Sequence, residues 1–173
     1  EGSAGLIADY DLVLDGTDNF DTRYLVNRLC AQAGKPLISA AITQWEGQIS
    51  LYDPAHGGPC YEGVFPERPL PGMVPTCAEA GVMGPAVMMM GALQAQIALS
   101  VLLGHQPSPL GQMMSVDLAA WRVSSFRFDA AQEETSQRPQ IIGLSEITPA
   151  DTVIELRGMN EAPVPAVPQA LRI

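Results

Sequence analysis

Basic residues are scarce in this 173-residue chain. Lysine and arginine number nine against nineteen acids, and the formal net charge is −10. Lys35 is the sole lysine. Docking on nucleic acid needs clustered Lys or Arg to neutralise phosphates, and here the basic residues stand singly, which argues against such a partner. The acidic balance bears on solubility more than on any ligand. Cysteine is sparse too. Cys30, Cys60 and Cys77 are an odd count that makes no disulfide framework, so a reducing cytoplasm is expected rather than secretion. The first residues carry no signal-peptide or transit-peptide pattern.

What is present is the composition of a globular protein, 47% hydrophobic and long enough to bury a core. One run, residues 81–105, has no formal charge from Gly81 to Gly104 and meets the length of a membrane-spanning helix. Gln94 and Gln96 fall inside it, and no basic cluster flanks it. It is therefore read as a buried core helix rather than a membrane span, with Met83, Met88, Met89 and Met90 filling irregular gaps.

Alternating elements run along the chain. Residues 10–15 read as a buried strand and 20–33 as an amphipathic helix. In that helix Leu25, Leu29 and Ala33, with Val26 and Cys30, keep helical spacing, and Gly34 stands where a C-cap glycine belongs. Strands are expected at 36–42 and 47–53. Residues 54–77 hold six prolines and four glycines and read as a long loop. After the long helix, "QMMSVDLA" and "WRVSSFRFD" predict a hairpin. Residues 129–140 read as a polar linker, and 141–173 end in a proline-rich stretch. The pattern predicts an α/β domain with a mixed sheet.

The first strand ends on Asp15, Gly16, Thr17, Asp18 and Asn19. In open α/β sheets ligands bind beyond the carboxyl ends of strands, so a carboxylate here can hold Mg²⁺ or polar ligand groups. The plainer alternative is that Asp18 or Asn19 caps the helix, with Asp21 favoured by the helix dipole.

Five stretches in order, "DLVLDGTDNFDTRYLVNRLC", "GKPLISAAITQWEGQISLYDP", "GPCY", "FPE" and "TCAEAGVMGP", resemble the ThiF/MoeB/HesA family. These are bacterial relatives of the ubiquitin-activating enzymes. The resemblance covers residues 1–128, closest from about residue 8, and implies a Rossmann-like nucleotide-binding fold of that type, of which the chain holds the carboxyl part. It implies an adenylyltransferase that uses ATP and Mg²⁺ to adenylate the C-terminal glycine of a ubiquitin-like sulfur carrier protein. Sulfur transfer in molybdopterin or thiamine biosynthesis would follow. It places the family's Mg²⁺ and ATP residues on Asp18 and Asn19 and its cysteine on Cys77. That cysteine forms a thioester with the carrier in some members, and a thiolate at a helix start is a sound nucleophile. The plainer reading of Cys77 is a small residue packed under the loop. Arg23 matches the family's arginine and stands equally as salt bridge or ligand contact. A homodimer is expected, and no membrane partner.

Departures from the family carry their own expectations. Many members hold structural zinc through two Cys-x-x-Cys pairs, but here "CYEG" keeps Cys60 and puts Gly63 where its partner would be. Residues 129–173 hold no cysteine. Structural zinc takes four ligands, so no zinc site is expected. Cys30 reads as core. The family's Gly-rich phosphate turn, ribose-binding acid and phosphate-contacting Arg and Lys would all precede residue 1, so this chain alone is expected to be inactive. An alternative is a carrier-docking or regulatory subunit without ATP chemistry. Residues 151–173 faintly resemble the start of a rhodanese domain, so 141–173 is read as such a truncated start or as a tail.

Overall fold

The structure is a computed structural model, and it describes residues 3–70, 72–128 and 142–172. The expected linker at 129–140 lies outside the described residues. These fall into two compact units, within 2–136 and 137–173.

In the larger unit, helix α1 (Ser3–Ala8) precedes strand β1 (Val13–Asp15), helix α2 (Phe20–Ala33) and strand β2 (Leu37–Thr43). β1 and β2 are parallel, with Asp15 opposite Ser39, and α2 is the crossover between them. A tight turn at Gln44 and Trp45 leads into β3 (Glu46–Tyr52), antiparallel to β2, with Gln44 at φ 50°. The hairpin β4 (Gln112–Asp117) and β5 (Arg122–Arg127) completes a mixed sheet in the order β1-β2-β3-β4-β5. The parallel pair at one edge and antiparallel strands beyond match the expected α/β class.

Local chemistry sets the bounds of α2. The Asn19 side chain accepts from the Thr22 N–H at 2.8 Å, Asp21 adds an acid to the first turn, and Gly34 closes the helix at φ 64°. Its buried face is not the aliphatic one anticipated. Arg23, Tyr24, Asn27 and Cys30 are buried, whereas Leu25 and Leu29 are only half-buried. Polar side chains take the inward face because each finds bonding partners there.

Side chains of β2 alternate between two cores. Ile38 and Ala40 join Ile49, Leu51, Val116 and Met90 on one face. Leu37 joins Tyr24, Cys30, Tyr52 and Tyr61 on the other. Burying a side chain the size of Ile38 is worth about 1.5–3 kcal/mol. Cys30 behaves as the expected core residue, its thiol pushed up to about 11 by burial and, less, by the Asp15 charge.

Two expectations need correction. The long helix, α5 (Gly84–Leu102), packs against β2 and β3 through one stripe, in which Ala86, Met90 and Ala98 are buried. Among the described residues its other faces are open, with Met88 77% and Leu102 57% exposed. By length and composition it is apolar enough to cross a membrane. The expected loop at 54–77 is also more ordered than its composition indicates. Short helices α3 (Tyr61–Val64) and α4 (Cys77–Ala80) lie within or at the end of it. Pro59, Cys60, Tyr61 and Glu62 are fully or nearly fully buried.

In the smaller unit β6 (Ile154–Glu155) runs parallel to β7 (Leu171–Arg172). Buried Glu155 accepts from Arg157 Nε at 2.9 Å and Nη2 at 2.7 Å.

Candidate active site

The carboxyl ends of β1 and β2 point the same way because the two strands are parallel. Just past the end of β1, a buried cluster holds the turn 15–19. The Asp15 carboxylate accepts from the Thr17 N–H at 3.0 Å and hydroxyl at 2.6 Å, from Ser39 Oγ at 2.8 Å and from Arg23 Nε at 2.9 Å. Burial pushes the Asp15 carboxyl up. The Thr17 bonds, the Arg23 guanidinium and the Ser39 hydroxyl outweigh that and hold it below the ordinary carboxylate range.

Arg23 is therefore an ion-pair partner. Its Nη2 also donates to Thr17 O at 2.6 Å and to Ala40 O at 3.1 Å, and its side chain is 6% exposed. The choice left open by the sequence falls on the salt bridge. From the opposite face of the sheet, Gln94 on α5 donates from Nε2 to Asp15 O at 2.8 Å and to Ile38 O at 3.2 Å. Neither Asp15 nor Gln94 was singled out as part of such a clamp. A polar residue inside the inward stripe of an apolar helix was the available signal.

Asp18 and Asn19 sit on the exposed outer side of this turn. Asn19 Oδ1 is engaged as the α2 cap, so it reaches a ligand only through its amide nitrogen or by leaving the cap. Asp18 carries an exposed carboxylate with no side-chain partner among the described residues. An oxygen donor of that kind fits Mg²⁺, a hard cation that keeps several waters and takes one or two carboxylates with substrate phosphates.

Cys77 lies at the carboxyl end of β2. Its thiol donates to Ile42 O at 3.5 Å, and the segment after it is pinned to the β2–β3 turn by Gln44 N to Gly81 O and Met83 N to Gln44 O. Ile42 is three residues beyond Ser39, the partner of Asp15, so the two anchoring points are about 10 Å apart along one strand. The Thr76 hydroxyl and the Glu79 carboxylate form a reciprocal capping box around the start of α4. Gly81 at φ 75° separates that four-residue helix from α5, so Cys77 does not open the long helix as its sequence position implied. Cys60, the rival cysteine, is buried, and its sulfur accepts from Gly63 N at 3.2 Å. Among the described residues no three of His, Cys, Asp and Glu come together as a metal cluster.

With this geometry in hand, residues 1–137 match the ThiF family. The chain belongs to the ThiF family. A sulfur carrier protein adenylyltransferase of Thermus thermophilus is 46% identical over 121 residues, covering 68% of this chain and 45% of that protein. The adenylyltransferase and sulfurtransferase MOCS3 of Xenopus laevis is 40% identical over 127 residues, covering 73% and 28%. This ThiF-family chain thus spans less than half the length of these relatives. Among solved structures, E. coli MccB with MccA-N7isoASN aligns at TM-score 0.55 and 19% identity over 68% of this chain and 38% of that one. PaaA aligns at TM-score 0.54 and 12% identity over 72% and 44%. At such identities the likeness shows the fold, and it agrees with the Rossmann-like α/β architecture of the ubiquitin-activating-enzyme type.

Proposed function

We propose that this ThiF-family protein adenylates the C-terminal glycine of a ubiquitin-like sulfur carrier protein, using ATP. The observation that carries the reading is the exposed Asp18 carboxylate, without a side-chain partner among the described residues, just beyond the end of β1 beside the Asp15–Arg23 cluster, with a thiol anchored on the neighbouring strand. A carboxylate oxygen of the carrier attacks the α-phosphorus of ATP, and the bond to the bridging oxygen of pyrophosphate breaks. The product is an acyl-adenylate with pyrophosphate as leaving group. Asp18 would hold Mg²⁺, which neutralises charge on the phosphate oxygens. Asn19 lies beside it as a polar contact for the nucleotide. Cys77 then accepts the acyl group as a thioester, its thiol giving up a proton and AMP departing. Supply of sulfur for molybdopterin or thiamine synthesis, a homodimer and a cytoplasmic location belong to the same reading. So does a rhodanese-like start or tail at 141–173.

The test is carrier-dependent ATP–pyrophosphate exchange by the protein at its natural length. Asp18→Ala should lower exchange at least a hundredfold with the fold intact, and unchanged turnover would reduce Asp18 to a turn residue. Cys77→Ala should keep exchange and lose any thiol-sensitive adduct seen by intact mass. An adduct that survives Cys77→Ala and vanishes with Cys60→Ala would overturn the assignment.

A further inference from the structure

We propose that Gln94 is a positioning residue for the Asp18 carboxylate, acting with Arg23 through the backbone of residues 15–17; this rests on the adenylation reading above. β1 is only three residues long and pairs with β2 alone among the described residues. A strand so short is a weak platform for a group that must be placed within a fraction of an ångström. Two side chains make up the deficit, one from each face of the sheet. Arg23 reaches from α2 to the Asp15 carboxylate and to Thr17 O. Gln94 reaches from α5 to Asp15 O.

Gln94 stands in the inward stripe of α5 between Met90, buried at 3% exposure, and Ile97. An amide half-buried in an apolar stripe is unfavourable unless bonded, and its Nε2 donates to two main-chain carbonyls at once. Its Oε1 lies 3.7 Å from where a Cβ on Gly16 would be, so the carboxamide lies against the start of the turn. Asp18 has no side-chain partner of its own among the described residues, so its place is set by the main chain that these two residues grip. The same helix is tied at its start to the β2–β3 turn through Met83 N and Gln44 O, beside the strand end that anchors Cys77. α5 thereby joins both halves of the candidate site.

The experiment compares Gln94→Met, which keeps the length of the side chain and removes its amide, with Gln96→Met on the exposed face of α5. The first readout is hydrogen exchange at the Thr17 amide, bonded to Asp15 Oδ1, in the nucleotide-free protein. Gln94→Met should speed it about tenfold while Ile49 and Leu51 in β3 stay unchanged, and Gln96→Met should do neither. The second is carrier-dependent exchange at natural length, where kcat should fall about 10–100-fold and KM for ATP should stay within about threefold. Unaltered Thr17 amide exchange overturns the proposal, as does uniform loosening of β2 and β3, which would show a packing role only. A wild-type protein without exchange activity counts against the adenylation reading, while the amide measurement still decides whether Gln94 holds the turn.

Discussion

Replacing Arg23 by methionine keeps most of the stem and removes the guanidinium, and it puts the buried cluster to a quantitative test. Asp15, whose side chain is 0% exposed, then retains only its bonds from Thr17 and Ser39. Breaking a buried ion pair by removing one partner costs about 3–5 kcal/mol, because the other charge stays behind without compensation. Domains of this size are stable by about 5–15 kcal/mol, so urea unfolding should reveal a large fraction lost at pH 7. The sign of the pH dependence follows from Asp15. Its folded carboxyl lies below the ordinary value of 3.8, so its contribution is present above about pH 4 and is lost as pH falls through the lower, folded value. Without Arg23, burial is offset less, and Asp15 takes up a proton more readily. The gap between wild type and Arg23→Met should therefore be widest near neutrality and narrow below about pH 4. Unfolding followed at pH 7, 5 and 3.5 measures it. A loss under about 1 kcal/mol at pH 7, or an equal loss at all three values, would refute the account of Arg23 as a committed ion-pair partner.

Two further outcomes test other parts of the chain. A Cβ on Gly58 would lie 2.6 Å from Leu110 Cδ1 and 2.9 Å from Asp53 O, so Gly58→Ala should cost about 1–3 kcal/mol in urea unfolding. The leucine can move, but Asp53 O already accepts from the Gly58 and His56 N–H groups, and wild-type stability would show that this bend yields freely. In the smaller unit, bonds from the Arg157 side chain and N–H hold the Glu155 carboxyl down at about 2 against the usual 4.5. Its stabilisation is then present above about pH 4.5 and lost as pH falls toward 2, and a carbon-13 titration of Glu155 with a midpoint above 4 would contradict the pairing.

The elements legible in the sequence are those with local causes. Asn19 and Gly34 bound α2 at the expected residues because capping involves only a few neighbouring positions. The β4–β5 hairpin is likewise local. Errors arose where the deciding partner is distant. The aliphatic stripe of α2 suggested an inward Leu25 and Leu29, yet Arg23 and Asn27 are buried because Arg23 Nε donates to Asp15 and Asn27 Oδ1 accepts from the Tyr61 N–H. α5 is apolar on most of its faces, and such a helix does not disclose which face will be covered. The prolines and glycines of 54–77 marked turns correctly but hid α3 and α4, whose caps are Cys60 and Thr76.

The site divides along the same line. Asp18 and Asn19 stand out in sequence as candidates because the rule that points to them needs only the end of a strand and the start of a helix. Whether Arg23 faces a ligand was undecidable in sequence, since one helical turn puts it within reach of either. The fold decides it. A guanidinium 2.9 Å from a buried carboxylate, with Nη2 between two main-chain carbonyls, has its charge neutralised and its Nε and Nη2 donors occupied. On the adenylation reading it acts on the ligand through the turn it holds. Gln94 completes the same logic from the other face, 79 residues along the chain from the carbonyl it binds. On the proposed reading the exposed Asp18 carboxylate stays free for a cation because buried Arg23 and half-buried Gln94 hold the main chain beneath it. The proposed reacting groups therefore sit in short motifs at strand ends, and the groups proposed to aim them are scattered through helices whose pattern otherwise reads as plain core.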